Sequence, residues 1–582
     1  MVSLEDLNEE QRRAVEVGDG PVLIVAGPGT GKTKTLATRI AYVLHKGVAP
    51  DRILALTFTV KAADEMRQRV MNMTAGATPQ ISTFHALGHK ILREALPDDE
   101  RTFISETDRL ALVRSLPRPN DLKDMTVRDL GLQVSRYKGT VDGDDASPLG
   151  RFVTRYQTAL DEQKLQDFDD LLFRTYRLLG QNASLHSTWR ARYDYIFVDE
   201  FQDTSELQWQ LLMQIRGNDN MFVIGDPKQS IYGFRGASGD MFVRFRQDFP
   251  EHSAITLPVN YRSAQAIVEL ASAIFGGVDA LRAHSTERGL VQAVQTLNEF
   301  SEADFVLNQI EQGIGGSDLL KASASAERHL KDFAVLYRTH QAARVLQQRL
   351  QDSGIPFQVV GEGSPYDQPE VAAVIGLLRR IAGHEALPPA GFSDTQTREL
   401  LRSIEPTLPV SKLAERCVEV FALAGNETKR RRLSQFASTL VRFDSADGLQ
   451  KCLTHLERIA QEDFYDPSVD AVTLMTIHAS KGLEFTHVIV IAAEEGILPH
   501  IRKHGTPDFD EERRLFYVAA TRAKSQLDVV YAKKRKNEPR QPSRYITEVS
   551  KEALPRIVDP SLGTLEKKIQ RREQKKRQTT LF

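Results

Sequence analysis

Two α/β domains built on parallel sheets, each interrupted by a helical insertion, are the architecture this 582-residue sequence predicts. Short apolar runs ending in Gly, Asp or Thr alternate with longer amphipathic segments, the pattern of buried parallel strands covered by helices. These runs fall into two groups, before and after about residue 257. Two intervals, about 96–188 and 384–466, contain no such runs and read as amphipathic helices joined by polar loops.

In chain order the runs are Val22–Val25, Ile53–Thr57, Tyr195–Val198, Met221–Ile224, Phe333–Leu336, Val472–Met475 and Val488–Ile491. The first domain accordingly takes residues 1–95 and 189–257, around an insertion at 96–188 typified by Leu110–Val113. The second takes 258–383 and 467–555, around an insertion at 384–466 typified by Leu433–Val441. The last segment, LEKKIQRREQKKRQTTLF, has seven Lys/Arg against two Glu and four apolar residues, too few to bury a core. Residues 556–582 therefore read as a flexible basic tail.

At ~150 residues per domain, the length allows about four domain-sized units. A hydrophobic fraction of 41% supplies several cores, and 26% charged residues is ordinary for a soluble protein. The net charge of −2 requires any nucleic-acid surface to be a local basic patch. Cys417 and Cys452, the two cysteines, exclude a disulfide scaffold or a four-cysteine metal site, so no structural metal is expected. No apolar run reaches the ~18 residues of a membrane span, and the N-terminus lacks a signal-peptide pattern. The expectation is a cytoplasmic protein without a membrane partner, nucleoid-associated in a prokaryote.

The strongest chemical signal is Val22-Leu23-Ile24-Val25-Ala26-Gly27-Pro28-Gly29-Thr30-Gly31-Lys32-Thr33. A buried strand runs into a glycine-rich turn whose backbone N–H groups converge on phosphate oxygens at a helix start. Lys32 supplies a point charge to the β/γ-phosphates and the Thr33 hydroxyl suits Mg²⁺. Ala26 stands where the strict pattern has glycine. Gly27, Gly29, Gly31, Lys32, Thr33 and Lys34 are the candidate nucleotide contacts. An ordinary strand–helix turn leaves Lys32 unexplained.

The second signal is Tyr195–Val198 followed by Asp199-Glu200-Phe201-Gln202-Asp203. Carboxylates at the C-terminal end of a buried strand lie where parallel sheets bind ligands. Asp199 is placed to hold Mg²⁺ and Glu200 to orient and deprotonate an attacking water.

The third is Val223-Ile224-Gly225-Asp226-Pro227-Lys228-Gln229-Ser230-Ile231-Tyr232-Gly233-Phe234-Arg235-Gly236-Ala237. With it the chain resembles a superfamily 1A DNA helicase of the UvrD/Rep/PcrA group. Further matching blocks, in order, are Leu7–Gln11, Leu56–Ala63, Ser82–His85, Asp167–Leu172, Asn260–Ser263, Val335–Arg338, Thr476–Phe485, Glu494–Pro499 and Tyr517–Ala523.

The resemblance implies two RecA-like domains, with ATP and Mg²⁺ as cofactors. It implies that Gln11 reads adenine, Tyr261 stacks near it and Gln229 senses the γ-phosphate. Arg262 and Arg522 become arginine fingers across the cleft, and Glu484 a ribose or γ-phosphate sensor. A finger from the far side makes hydrolysis depend on closure. The implied track is single-stranded DNA, travelled 3′→5′, with ss/ds junctions as a further partner.

Single-strand binding needs aromatic platforms and a basic groove. Phe58, His85, Tyr232, Phe234 and Arg235 sit where the family stacks bases. Phe234 replaces the family's usual tryptophan and Val60 its usual asparagine. For Phe84 and Phe201, core packing competes with a place on the track.

Two departures bear on function. The second insertion is much shorter than in well-known members. The strand-separating hairpin, expected near Tyr531-Ala532-Lys533-Lys534-Arg535-Lys536-Asn537-Glu538-Pro539-Arg540, is short, strongly basic and lacks an aromatic tip. This predicts a good translocase that unwinds poorly unaided, its hairpin gripping phosphates rather than stacking.

The terminal Gln578-Thr579-Thr580-Leu581-Phe582 resembles peptides that enter the sliding clamp, with Leu581 and Phe582 filling an apolar pocket and Gln578 hydrogen-bonding. The first expectation is thus an ATP-dependent 3′→5′ DNA helicase or translocase, tethered to the sliding clamp and acting in repair or fork maintenance. The alternatives are the motor subunit of a nuclease or anti-phage complex, and a non-unwinding clamp adaptor that uses ATP as a switch.

Overall fold

The computed structural model describes residues 4–559 except 75, 142, 234–240, 278–280, 316–327, 362–368, 384–396, 398–400, 403, 406–407, 423–432, 435, 439, 446–447, 460–464 and 502–507. Phe234 and Arg235, and the tail beyond Asp559 with Gln578, Leu581 and Phe582, lie outside the described residues.

The first sheet comprises β1 (Val22–Ala26), β2 (Ile53–Thr57), β3 (Gln80–Thr83), β4 (Tyr195–Val198), β5 (Met221–Gly225) and β6 (Ser253–Leu257), in the order β3-β2-β4-β5-β1-β6. Every pairing is parallel. Its central strands are buried on both faces, which is why they read as uninterrupted apolar runs. Leu36 and Ile40 of helix Lys32–His45, with Met66 and Val70 of helix Val60–Met73, cover one face. Leu87, Ile91, Leu211 and Phe245, from three further helices, cover the other.

The second sheet comprises β7 (Leu290–Thr296), β8 (Phe333–Tyr337), β9 (Phe357–Val360), β10 (Val472–Thr476), β11 (Phe485–Val490), β12 (Ala523–Ala532) and β13 (Arg556–Val558), in the order β9-β10-β8-β11-β12-β7-β13. It too is wholly parallel. Helices Gln265–Ile274 and Phe509–Ala520 pack on one face, and Glu299–Gly313 and His340–Asp352 on the other.

Six of these strands escape the apolar-run reading. Gln80–Thr83, Ser253–Leu257 and Arg556–Val558 are short and partly exposed, and Leu290–Thr296 and Phe357–Val360 are interrupted by polar residues. Ala523–Ala532 begins with Lys524-Ser525-Gln526, which masks its buried second half. Because Arg556–Val558 pairs with Ala293–Gln295, the second domain runs through Val558 and does not end at 555.

The first insertion has its own core of Val113, Leu130, Val134, Phe152, Tyr156 and Leu160. At its junction with the first domain, Lys138 is fully buried and donates to Asp167 at 2.8 Å and Asp170 at 2.9 Å. The second insertion packs Leu413, Cys417, Leu440, Cys452 and Leu453 against Val371, Val374 and Leu378 of helix Pro369–Ile381. That helix turns its apolar stripe into the insertion core, so the helical unit opens at Pro369 and not at 384. Among the described residues, no helix is long and apolar enough to cross a membrane.

Candidate active site and nucleic-acid track

The turn after β1 places Gly29 at φ 68° and Gly31 at φ 82°, left-handed conformations that glycine adopts without steric cost. Both are also packed against the rest of the site. A Cβ on Gly29 would lie 2.7 Å from the Arg262 Cβ, and one on Gly31 2.7 Å from the Gln11 amide nitrogen. Lys32 begins the following helix, and its Nζ lies 3.4 Å from the carbonyls of Ala26 and Gly27. Lys34 does not turn its side chain to the cradle; its Nζ donates to the Asp6 carbonyl at 2.8 Å.

Gln11 sits beside the cradle, with its amide already engaged. Nε2 donates to the Thr30 carbonyl at 2.9 Å, and Oε1 accepts from the Asn8 N–H in a capping box. Each bond uses one of the two Nε2 hydrogens or one of the two Oε1 lone pairs, so the amide keeps a donor and an acceptor for a ligand. The Tyr261 hydroxyl accepts from Asn8 at 2.9 Å, and its ring tilts against His284 at 4.7 Å. Asn260 ties the cradle to the second domain: Nδ2 donates to the Pro28 carbonyl at 2.8 Å, while Oδ1 accepts from the backbone of Arg262 and Ser263.

At the end of β4, burial and the neighbouring Glu200 push the Asp199 carboxyl up to about 7, with Lys32 opposing. The Asp199 carboxylate at the strand end and the Thr33 hydroxyl at the helix start are hard-oxygen groups of the kind that suits Mg²⁺. Glu200 adopts φ 48°, a conformation that costs a non-glycine residue about 1–3 kcal/mol and needs its surroundings to hold it. Gln202 is that support. Its amide nitrogen donates to the Glu200 carboxylate, and its oxygen accepts from the Asp226 N–H at 2.9 Å. Burial would raise the Glu200 carboxyl, but Lys32 and Lys481 hold it below its ordinary range.

Groups from the second domain converge on the loop after β5. Gln229 is buried, donates to Asp226 at 2.8 Å and accepts from the Arg522 guanidinium at 3.2 Å. Arg522 is 1% exposed and also donates to the carbonyls of Val518 and Leu483. Burial and Arg262 lower its pKa to about 9, with Glu200 opposing. Lys481 reaches across to Asp203 at 2.7 Å and to the Gln229 carbonyl at 2.8 Å. Arg514 donates to the Ser230 carbonyl at 2.6 Å. Arg262 pairs with Glu484 at 2.6 Å, and Lys524 meets the other oxygen of Glu484 at 2.9 Å. Burial would raise the Glu484 carboxyl, but these two cations hold it below its ordinary range.

Phe58 and Tyr232 stack on each other at 5.1 Å, with Lys481 Nζ 5.0 Å from the Tyr232 ring centroid. Each ring thus covers one face of the other. His85 stacks on Phe168 at 3.9 Å. Phe201 is fully buried among Trp209, Phe242 and Phe245, and Phe84 is 4% exposed in the same core. Both are core aromatics and leave the track.

The profile of the UvrD/REP helicase N-terminal domain matches residues 7–250, and that of the UvrD-like helicase C-terminal domain matches 255–386 and 395–534. The chain belongs to the UvrD/Rep helicase family. Among curated relatives, the ATP-dependent DNA helicase PcrA of Bacillus subtilis (strain 168) is 30% identical, over 95% of this chain and 86% of the relative. PcrA of Staphylococcus epidermidis (strain ATCC 12228 / FDA PCI 1200) is 29% identical, over 99% and 90%. The alignment to the Bacillus protein spans 648 positions against the 582 residues here, so that relative carries segments this helicase lacks. The two matched profiles cover the two parallel-sheet domains, which are the RecA-like halves of a UvrD-like, superfamily 1 helicase.

Beyond Arg522, β12 runs to Ala532, and Lys534–Arg535 pairs with Glu538–Pro539 in a two-residue hairpin. The hairpin's charge is not all at the surface. Arg535 is buried and donates to Glu494 at 2.7 Å and to Glu302 at 2.7 Å, so it is unavailable to a phosphate. Two buried carboxylates share one guanidinium, and burial, reinforced by Glu494 and opposed by Arg535, pushes Glu302 from 4.5 up to about 7. A carboxyl raised on folding contributes stability below its unfolded pKa and loses it as pH rises through the folded one. Glu302→Gln is therefore expected to flatten the stability–pH curve between 4.5 and 7. Urea unfolding across that range checks it, and a slope equal to wild type contradicts it.

Proposed function

We propose that this helicase family member is a Mg²⁺- and ATP-dependent motor that moves 3′→5′ along single-stranded DNA and is tethered to the sliding clamp in repair or fork maintenance. The observation that carries the motor reading is the convergence of Arg522, Lys481 and Arg514 on the Gly225–Tyr232 loop. The loop joins the catalytic carboxylates to Tyr232, so one segment feels nucleotide, domain closure and track together.

In this reading the backbone N–H groups of Gly29 to Thr33 and the Lys32 ammonium hold the β- and γ-phosphates of ATP. Asp199 and Thr33 would hold the Mg²⁺ ion, which neutralises phosphate charge. Glu200 orients the attacking water and accepts its proton on the side-chain carboxylate. Gln229 passes the state of the γ-phosphate to Asp226 and the loop. As the cleft closes, Arg522, held by the Val518 and Leu483 carbonyls, is carried onto the equatorial oxygens together with Arg262, which exchanges Glu484 for phosphate. Opening after hydrolysis parts the two domains, and alternating grip on Phe58, His85 and Tyr232 converts this cycle into a step. The 3′→5′ direction is inferred from the family likeness.

The short second insertion and the hairpin without an aromatic tip support a motor that translocates well and opens long duplexes poorly without a partner. Duplexes with a 3′ or a 5′ single-stranded tail, with ATPase followed in parallel, test this reading. Displacement from the 3′ tail alone is expected. Displacement from the 5′ tail alone, or robust unwinding of a long duplex by the isolated monomer, contradicts it.

The tether rests on the terminal Gln578–Phe582 peptide. Full-length protein is expected to bind a sliding clamp, and a version ending at Arg577 to lose that binding. Equal affinity of the two in a clamp titration refutes the tether.

A further inference from the structure

The segment that follows helix Gln265–Ile274 returns to the phosphate cradle. Arg282–Ala283 pairs in parallel with Val259–Asn260, and the N–H groups of Arg282 and His284 donate to the carbonyls of Pro258 and Asn260, both at 2.8 Å. Three side chains of this strap reach separate parts of the nucleotide site. Leu281 lies on the glycine turn, where a Cβ on Gly27 would come within 2.8 Å of its side chain. Arg282 meets Glu10, the chain neighbour of Gln11, at 3.3 Å. His284 lies against the Tyr261 ring, with centroids 4.7 Å apart and planes inclined by 42°. Residues 281–284 fall between the motif blocks Asn260–Ser263 and Val335–Arg338, which leave them without a role.

Tyr261 is fixed at two points. Its backbone N–H donates to the Gly29 carbonyl at 2.8 Å, and its hydroxyl accepts from Asn8 at 2.9 Å. These points set the long axis of the ring but not its rotation about that axis, for the terminal torsion of an aromatic side chain is broad. The ring is 42% exposed, so core packing does not set the rotation either. A second ring against one face does, at a centroid distance where aromatic pairs attract.

We infer that His284 is a positioning residue of the nucleotide site: it holds the Tyr261 ring at the angle at which the other face receives the base of a nucleoside triphosphate. The inference rests on the proposed ATP-driven motor and adds to it a determinant of base binding. Leu281 seats the same strap on the phosphate turn, so one short segment fixes the base end of the site relative to its phosphate end. His284 itself is exposed and has no place in the hydrolytic chemistry, which confines its effect to binding.

Full-length wild type, His284→Ala and His284→Phe are compared with saturating single-stranded DNA. His284→Ala is expected to raise the KM for ATP by about 2- to 10-fold, the scale of one aromatic pair, at unchanged kcat. His284→Phe keeps a ring at this place and should return the KM toward wild type. Binding of ADP and of pyrophosphate, each measured directly, separates base from phosphates. His284→Ala should weaken ADP by the same factor as the KM and leave pyrophosphate unaltered. Melting temperatures of both variants should match wild type.

An unchanged KM in His284→Ala overturns the inference. A lower KM also does so, because it means that the imidazole occupies the place of the base. Equal weakening of pyrophosphate assigns the loss to the cradle as a whole, and a phenylalanine variant no better than alanine removes the ring contact as its cause; either result overturns the inference. Absence of DNA-stimulated ATPase in the wild type would instead refute the motor reading, while the ADP and pyrophosphate measurements would still test His284, so the two failures are distinguishable.

Discussion

Arg522→Ala is expected to lower the DNA-stimulated kcat by about three to five orders of magnitude, the range measured for arginine fingers in phosphoryl transfer. The guanidinium is already buried at the cleft, bonded to Gln229 and to carbonyls of its own domain. Its charge is poorly solvated there, with the pKa lowered to about 9. Developing negative charge on the γ-phosphoryl oxygens therefore meets a cation that has little water to shed, the condition under which preorganised charge is most effective. Arg522→Lys should recover little, because an ammonium cannot bond Val518, Leu483 and a phosphate in one plane. Steady-state ATPase with saturating single-stranded DNA measures the loss, and fluorescent-nucleotide binding separates chemistry from affinity. A kcat within tenfold of wild type would remove Arg522 from the transition state.

Lys138→Met is expected to destabilise the native state by about 3–5 kcal/mol, the cost of leaving buried charge without its partner. Lys138 meets Asp167 and Asp170, whose side chains are 3% and 0% exposed, and Asp167 also accepts from Tyr156 at 2.9 Å. Asp167 and Asp170 cap each other's backbone N–H groups, so neither can turn outward without unlacing the join between the first insertion and its domain. Denaturant unfolding of the full chain measures the change in its first transition. Adding Asp167→Asn and Asp170→Asn to Lys138→Met should return part of the lost stability by removing the stranded carboxylates. A loss below about 1 kcal/mol, the value of an exposed ion pair, would contradict this account of the cluster.

Legibility in the sequence followed the range of the interaction. The phosphate turn, the Asp199-Glu200 pair and the central strands are local patterns: a buried parallel strand is an apolar run, and a phosphate cradle needs glycine within a few residues of lysine. The edge strands Gln80–Thr83 and Arg556–Val558 were not legible, because a strand buried on one side carries a mixed sequence. The linking groups were hidden for another reason. Lys481 stands 278 residues from Asp203, and Asn260 232 residues from Pro28; no spacing rule connects them. Gln202 could have been found, since a buried amide two residues after the proposed base has few roles other than orienting it. The hairpin's basic run was visible, but not that alternation sends Arg535 inward and Lys534 outward. Gln11, expected from the resemblance to read adenine, is built into a helix cap, a role that a motif cannot show.

The central claim is that nucleotide closes the cleft and so brings Arg262 and Arg522 onto the phosphate. It is tested most directly by a distance between the domains in solution. Cys417 and Cys452 are buried, and burial pushes the Cys417 thiol up to about 12, so dyes attach selectively to cysteines introduced at exposed Glu251 and Gln351. Energy transfer is recorded without ligand, with single-stranded DNA, and with DNA plus a non-hydrolysable ATP analogue. The account predicts a shorter distance when the analogue joins DNA, and no such change in Lys32→Ala. A distance unaltered by nucleotide in the wild type would contradict closure as the link between hydrolysis and movement.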